Sequence, residues 1–267
     1  MGRHFDLPMS QTTVLEITQR VSQTLRSDYF AIRERIRKSV IVNIDETSIK
    51  VDGKTYWIWT FVTKTDTFYV VRKSRGKKVL EEVLGAGFLG FVGCDGWRSF
   101  LQLQIKFNGV GLICCVRLRE VSEHHREVRG LYKSFKELYT YLTESLAMGP
   151  SLEGRGQFVV LGEERLRFWL DRSYRSREVV RFMGKVENGF DYWFTFLLVE
   201  GLEATNNVAE RALRELVVQR KIMGTLRNEK GVAIYETMMT LITTWNKQGL
   251  DTFNQMKNSL INNWAKS

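Results

Sequence analysis

The chain has 267 residues, of which 43% are hydrophobic and 26% are charged, as is ordinary for a folded globular protein. Forty basic residues against thirty acidic ones leave a net charge of +10, which favours a polyanionic partner. No apolar run reaches the roughly 18 residues of a membrane span, and the N-terminus lacks the apolar core of a signal peptide. Because the basic residues are spread along the chain and not gathered in one membrane-facing stripe, nucleic acid is the expected partner.

The cysteines and histidines argue against a disulfide framework and a zinc site. The three cysteines are Cys94, Cys114 and Cys115, an odd number without C-x-x-C spacing. They predict a reducing compartment and a cytoplasmic protein. Two of the three histidines, His124 and His125, are adjacent in a polar segment, where exposure to solvent is the expected state.

The first elements along the chain are helical. Residues 8–38 carry apolar side chains at helical spacing, and Ser10 is placed to cap the first helix. We treat residues 1–38 as an N-terminal helical segment, which could be the remnant of a DNA-binding region. Its many basic side chains suit either contact with phosphates or a solvated linker.

The pattern then changes from helix to strand. Short apolar runs, rich in β-branched and aromatic residues, predict strands at 40–44, 56–62, 68–71, 88–94 and 110–116. Between the third and the fourth strand, Ser74 is placed to cap a helix that ends near Gly85. This order predicts an α/β fold, with a mixed sheet that has an antiparallel leading part and at least one parallel crossover, flanked by helices.

The second half of the chain is predicted to be helical. Charged helical patterns cover 117–148 and 162–199, and the Gly-rich segment from Pro150 to Gly156 is the expected break between them. Further amphipathic helices follow at 203–224 and 232–248. A last short helix is capped by Asp251 and ends near Trp264.

The helix at 203–224 carries one acid in an unusual place. Ala209, Ala212, Leu213 and Leu216 share a face that we expect to be buried. On the opposite face Glu210 lies among an amide and three cations. These four residues are Asn207, Arg211, Arg214 and Lys221. A solvated face with ion pairs between neighbouring turns is the ordinary explanation for such a pattern.

Two further acids give this helix a second interpretation. Asp45 and Asp95 each follow directly after a predicted buried strand, and ligands of open α/β sheets collect at the carboxyl ends of strands. With Glu210 they could form a site of three carboxylates, which suits a pair of Mg²⁺ or Mn²⁺ ions about 4 Å apart and phosphoryl transfer. On the residues alone, other acids stay open for these positions. They are Glu46, Asp52, Asp171, Asp191 and Glu200.

Three motifs resemble those of the DDE transposases of bacterial and archaeal insertion sequences. The first is DET at 45–47 followed by VDGK at 51–54, and the second is CDGW at 94–97. The third is TNNVAER at 205–211 followed by Arg-Lys at 220–221, which is similar to the signature of insertion sequence family sixty-six. The resemblance extends over nearly the whole chain.

The resemblance implies a ribonuclease-H-like catalytic core. Its first part would be residues 39–116, followed by a helical insertion at 117–202 and by C-terminal helices at 203–267 that complete the core. It also implies that Asp45, Asp95 and Glu210 are the catalytic residues and bind two Mg²⁺ or Mn²⁺ ions.

The implied activity is cleavage of DNA strands at the ends of an insertion sequence and transfer of those strands to target DNA. Water and then a 3′-hydroxyl would be the nucleophiles. The implied protein is prokaryotic, forms a homo-oligomer in the synaptic complex and lies at the nucleoid when bound to DNA. The candidate DNA-binding residues are Asn207, Arg211, Arg214, Arg220, Lys221, Arg75 and Lys77.

The chain also departs from the pattern of this family. Relatives carry an N-terminal coiled or helix-turn-helix region and often a cysteine-rich zinc-binding segment, and neither is complete in this sequence. Residues 114–120, CCVRLRE, lack the Trp and the His that relatives tend to carry after the second acid. Two alternatives therefore stay open: a truncated, non-catalytic DNA-binding relic of a transposase, and a ribonuclease-H-like nuclease or resolvase.

Overall fold

A computed structural model describes residues 9–94, 106–109 and 126–264 of the chain. The strands are β1 (Ile41–Val51), β2 (Lys54–Val62), β3 (Thr67–Arg72), β4 (Phe91–Cys94) and β5 (Lys106–Gly109). The helices are α1 (Gln11–Thr24), α2 (Arg26–Arg37), α3 (Lys77–Leu84), α4 (Arg126–Ala147), α5 (Leu152–Leu170), α6 (Arg177–Asn188), α7 (Thr195–Leu198), α8 (Asn207–Met223), α9 (Glu229–Lys247) and α10 (Thr252–Trp264). The predicted α/β class is confirmed.

The strands form one five-stranded sheet in the order β3-β2-β1-β4-β5. β2 and β3 pair antiparallel, from Trp57 opposite Arg72 to Val62 opposite Thr67. β4 pairs parallel with both β1 and β5. The predicted antiparallel leading part and parallel crossover are therefore confirmed. The described fifth strand is β5, and the strand predicted at 110–116 lies outside the described residues.

The described residues form two compact units. The first contains α1, α2, β2, β3, α3, α9 and α10, and the second contains β4, β5 and α4 to α7. Two elements belong to both units. β1 passes from the second unit to the first after Asp45, and α8 does so after Glu210.

The core of the first unit buries one face of α8. Leu213 and Leu216 are 5% and 0% exposed, and they pack in one cluster with Ile49 and Val51 of β1. Val218, on the charged face of the same helix, is 54% exposed. The amphipathic pattern thus predicted the buried side of the helix correctly, because apolar residues at helical spacing gain most free energy when they share one buried face.

The edge strand β3 is covered by side chains of α9. Three alternate backbone N–H groups of β3 donate to side-chain oxygens that recur every four residues along the helix. The pairs are Thr67 with Thr244 at 3.1 Å, Tyr69 with Thr240 at 3.0 Å, and Val71 with Glu236 at 2.7 Å. Two strand residues advance about 6.6 Å and four helix residues about 6 Å, so the two repeats nearly match. The helix therefore satisfies an edge that would otherwise be open to pairing with another chain.

Glu236 is the charged member of this set and lies in the interior of the first unit. Its side chain is 3% exposed and lies 2.6 Å from Nη1 of Arg72 and 3.8 Å from Nη2 of Arg26. Burial raises the pKa of Glu236 above its ordinary value, and the cation of Arg72 and the N–H of Val71 oppose that rise.

The second unit is built around an aromatic cluster. The ring of Phe135 lies 4.2 Å from that of Trp169, 5.0 Å from that of Phe182 and 5.8 Å from that of Trp193. A close approach locks α5 against this cluster, because a Cβ added to Gly162 would lie 2.6 Å from the ring of Phe194. Aromatic side chains from several helices therefore hold the unit together.

The helix ends agree with the sequence at some positions and differ at others. Ser10 and Asp251 accept hydrogen bonds from Thr13 N and Asn254 N, so both predicted caps are confirmed. The predicted cap at Ser74 is wrong, because α3 begins after Gly76 and the Ser74 hydroxyl accepts from Gly76 N at 3.0 Å, in the turn before the helix. The expected break at 150–156 is shorter than predicted, because Ser151 caps α5 and the two glycines that follow are helical. No helix in the described part of the chain is long and apolar enough to cross a membrane.

Candidate functional site

The prediction that Asp45 directly follows a strand at 40–44 is wrong, because β1 continues from Ile41 to Val51 and contains Asp45. Asp45 and Glu46 are neighbours within β1, and their environments differ. Successive side chains of a strand point to opposite faces, so the two carboxylates lie on opposite sides of the sheet. The Glu46 side chain is 2% exposed, and it accepts hydrogen bonds from the guanidinium of Arg75 at 2.6 Å. Arg75 also lies 4.5 Å from the centre of the Trp57 ring. Glu46 therefore belongs to a buried ion pair, whereas Asp45 is only half-buried.

The pairing of β1 with β4 has the same sequence offset as the predicted acids Asp45 and Asp95. The paired positions are Ile41 with Phe91, Val42 with Val92 and Asn43 with Gly93. Each pair is separated by 50 residues in sequence (91 − 41 and 93 − 43), which is also the separation of Asp45 and Asp95 (95 − 45). Asp95 itself lies outside the described residues.

A close contact holds this register. A Cβ added to Gly93 would lie 2.4 Å from Oδ1 of Asn43, its partner on β1. Asn43 is 9% exposed, so its side chain has little room to move away. Only glycine fits opposite Asn43 without displacing it, and the tight contact opposes a slip of the two strands past each other.

Asn206 connects Ile44, in the first half of β1, with the start of α8. Its side chain is fully buried, and Nδ2 donates to the carbonyl of Ile44 at 2.8 Å. The backbone carbonyl of Asn206 accepts from the N–H of Glu210 at 3.1 Å. Asp45 therefore lies one residue from one end of this connection, and Glu210 lies in the helical turn at the other. Oδ1 of Asn206 is buried and has no hydrogen-bond partner among the described residues.

The seven predicted DNA-binding residues fall into two groups. Four lie exposed on α8 and make no hydrogen bond or ion pair with the described residues: Asn207, Arg211, Arg214 and Lys221. The other three hold contacts within the protein. Arg75 pairs with Glu46, Lys77 lies 3.2 Å from Glu81, and Arg220 donates to Thr47 Oγ1 at 3.3 Å and to the carbonyl of Ser48. Arg220 thus ties the second half of α8 to β1.

The side chains of the predicted site offer the type of ligand atom that Mg²⁺ and Mn²⁺ prefer. Asp45 and Glu210 offer carboxylate oxygens, the ligands that these hard cations prefer, and both side chains are half-buried. Within 9–94, 106–109 and 126–264 no group of three or more His, Cys, Asp or Glu side chains lies close enough to hold a metal ion. The predicted trio includes Asp95 and therefore extends beyond these residues.

The bond of Asn206 to Ile44 was not predicted from the sequence, because no local pattern indicates a buried bond between residues 162 positions apart. The presence of Asn206 in the T-N-N motif was the signal that could have found it. The ion pair of Glu46 with Arg75 was missed for the same reason, because 29 residues separate the two partners.

The sequence and the structure were compared with known proteins and protein families. Searches among curated proteins and among solved structures found no match. A family model described as Transposase IS66 family matches residues 1–234, which is most of the chain and includes Asp45, Asp95 and Glu210. The chain therefore belongs to the IS66 family of transposases, enzymes that act on DNA, and the resemblance stated from the sequence motifs is confirmed.

Proposed function

We propose that the chain catalyses metal-dependent DNA strand cleavage and strand transfer at the ends of an insertion sequence. The observation that carries this proposal is the register of β1 and β4. If the same register continued for two more residues, Asp45 and Asp95 would stand side by side, about 4.8 Å apart, just beyond the last paired residues of β1 and β4. Ligands of α/β sheets gather at the carboxyl ends of parallel strands, and Asp95 directly follows the carboxyl end of β4 in sequence, whereas β1 continues past Asp45 to Val51.

The third acid is supported by the start of α8. Asn206 bonds to the residue that precedes Asp45 and also begins the helical turn that carries Glu210. This supports a site that combines Asp45, Asp95 and Glu210 in a ribonuclease-H-like core. Glu46 does not suit the role of Asp45, because its carboxylate is buried against Arg75.

The roles of the chain's own groups follow from their chemistry. The three carboxylates would hold two Mg²⁺ or Mn²⁺ ions, which as Lewis acids stabilise negative charge on the reacting phosphate. Arg211, Arg214 and Lys221 are exposed on the helix of Glu210 without ion pairs among the described residues, so their charges are available to DNA phosphates. Phosphate contacts of this kind position DNA without reading its sequence.

The proposal is tested with the full chain and a labelled duplex that carries the ends flanking its own coding region. We expect Mg²⁺-dependent nicked and joined products, and a loss of about 1,000-fold or more in the Glu210→Gln variant. Glu215→Gln is the matched control, since Glu215 is an exposed acid on the same helix.

Three outcomes would contradict the proposal. Equal activity in the Glu210→Gln and Glu215→Gln variants would remove Glu210 from the site. Salt-sensitive DNA binding without cleavage at any Mg²⁺ concentration would identify a non-catalytic relic. Cleavage of branched junctions in preference to transposon ends would identify a nuclease or resolvase.

A further inference from the structure

We propose that Asn206 is a positioning residue that fixes the start of α8 against β1 at Ile44 and thereby sets the separation of the Asp45 and Glu210 carboxylates. This inference rests on the function proposed above, because it assigns Asn206 a role only if those carboxylates bind metal ions. It adds to that function a residue that touches neither the metal ions nor the DNA.

Asn206 forms a short connection between β1 and the helical turn that carries Glu210. Asn206 is 0% exposed, and its Nδ2 lies 2.8 Å from the carbonyl oxygen of Ile44. Its backbone carbonyl accepts from the N–H of Glu210 at 3.1 Å. The path from Asp45 to Glu210 through this bond crosses one peptide unit on the strand side and one helical turn on the other. The Ile44 carbonyl and the Glu210 N–H thus both bond to Asn206, so a change at Asn206 acts on the backbone next to Asp45 and on that of Glu210 itself.

The Asn206 side chain does not bond in the way that is usual for asparagine at a helix N-terminus. An asparagine at a helix N-terminus ordinarily offers Oδ1 to a backbone N–H of the first turn. Here Oδ1 has no hydrogen-bond partner within the described part of the chain, although it is buried, and a buried acceptor without a partner is costly. The orientation of the amide is fixed by the Ile44 carbonyl, because only a donor can face that acceptor. The helix thus forgoes a local cap in favour of a bond to β1, as expected if the position of α8 matters more than its local stability.

The affinity of a metal site depends on how accurately its ligands are positioned. Residues that orient metal ligands without binding the metal typically account for 10-fold to 100-fold in metal affinity. Loss of the Nδ2 donor leaves the Ile44 carbonyl buried without this partner and removes the hydrogen bond that joins the start of α8 to Ile44. We therefore expect replacement of Asn206 to weaken metal binding by about 10-fold or more.

The test measures Mn²⁺ binding by electron paramagnetic resonance, with the full chain bound to duplex DNA that carries the insertion-sequence ends. Asn206→Ala removes the side-chain bond. Asn206→Ser keeps a hydroxyl that can cap the helix but cannot reach the Ile44 carbonyl, so it covers the case in which the alanine variant fails to fold. Tyr139→Phe is the matched control, since it removes one buried hydrogen bond of the second unit, from Tyr139 Oη to the Trp193 carbonyl at 3.2 Å.

The outcomes separate this inference from the function on which it rests. We expect the Mn²⁺ dissociation constant to rise about 10-fold or more in both Asn206 variants and to stay unchanged in Tyr139→Phe. Equal binding in all three variants and the unaltered protein would overturn the inference and leave the proposed function intact. Absence of Mn²⁺ binding in the unaltered protein would overturn the proposed function and the inference with it.

Discussion

Glu46 and Arg75 form an ion pair at 2.6 Å in which the carboxylate is almost fully buried. Removal of one partner of such a pair leaves a charge that is neither solvated nor neutralised. We therefore expect Arg75→Met to lower the free energy of unfolding by about 3 kcal/mol, measured by urea denaturation at neutral pH. Lys77→Met is the comparison, because the exposed pair of Lys77 with Glu81 contributes less than about 1 kcal/mol. Equal losses in the two variants would contradict the assignment of Glu46 to a buried pair.

Two glycines in helices should respond to alanine in opposite directions. A Cβ at Gly162 would lie 2.6 Å from the Phe194 ring, so Gly162→Ala should destabilise the protein by about 1–3 kcal/mol. A Cβ at Gly184 of α6 would meet no atom within 4 Å, so Gly184→Ala should stabilise it by about 0.5–1 kcal/mol. Thermal unfolding of both variants measures the contrast. A stabilising Gly162→Ala would show that α5 does not approach Phe194 so closely.

Replacement of one hydroxyl of α9 tests whether the side chains of this helix stabilise the edge strand β3. Thr240 accepts from the N–H of Tyr69, so Thr240→Val leaves that buried donor unpaired and should cost about 1–3 kcal/mol. Thr60→Val is the control, since the Thr60 hydroxyl is buried without a hydrogen-bond partner among the described residues and its loss should cost nothing. Denaturant unfolding of the two variants supplies the comparison, and equal effects would count against this role of α9.

The raised pKa of Glu236 has a consequence for the pH dependence of stability. Between its ordinary value of 4.5 and its higher folded pKa, the unfolded chain is ionised at Glu236 while the folded chain keeps the proton. The contribution of Glu236 to stability is therefore full below 4.5 and is lost as the pH rises through the folded pKa. The free energy of unfolding of the unaltered protein, minus that of Glu236→Gln, should fall as the pH rises from about 4 to about 7. A difference that rises with pH would contradict the direction of the shift.

Two arginines of α8 should differ in their effects on DNA binding and on stability. Arg214 is exposed without an ion pair in the described part of the chain. Arg214→Gln should therefore reduce the slope of log K against log salt concentration by about one, the equivalent of one phosphate contact. The free energy of unfolding should stay unchanged. Arg220 bonds to Thr47 and Ser48, so Arg220→Gln should lower stability. Binding titrations at several salt concentrations and thermal unfolding measure the two effects. An unchanged salt dependence in Arg214→Gln would remove that residue from the DNA contact.

Local chemistry explains which parts of the fold were predictable from the sequence. The caps at Ser10 and Asp251 and the buried stripe of Leu213 and Leu216 depend on neighbours within one or two turns, so the sequence carries them directly. The cap at Ser74 was predicted wrongly, because a side chain that can cap can also close the turn that precedes a helix, and here it bonds to Gly76.

The sequence predicted which acids belong to the candidate site, but it did not predict the contacts that distinguish and position them. Motifs single out Asp45, Asp95 and Glu210, but nothing local distinguishes Asp45 from Glu46. That distinction depends on Arg75, which reaches Glu46 from a distant part of the sequence. In the same way the bond of Asn206 to Ile44 spans 162 residues and exists only once the chain has folded.

The central claim is that Asp45, Asp95 and Glu210 bind one pair of metal ions. The most direct test is a crystal structure of the chain with insertion-sequence end DNA and Mn²⁺, in which anomalous scattering locates the ions. We expect two Mn²⁺ ions about 4 Å apart, each within about 2.3 Å of oxygens from this trio. Mn²⁺ bound elsewhere, or an Asp95 carboxylate too far from Asp45 to share an ion with it, would contradict the account.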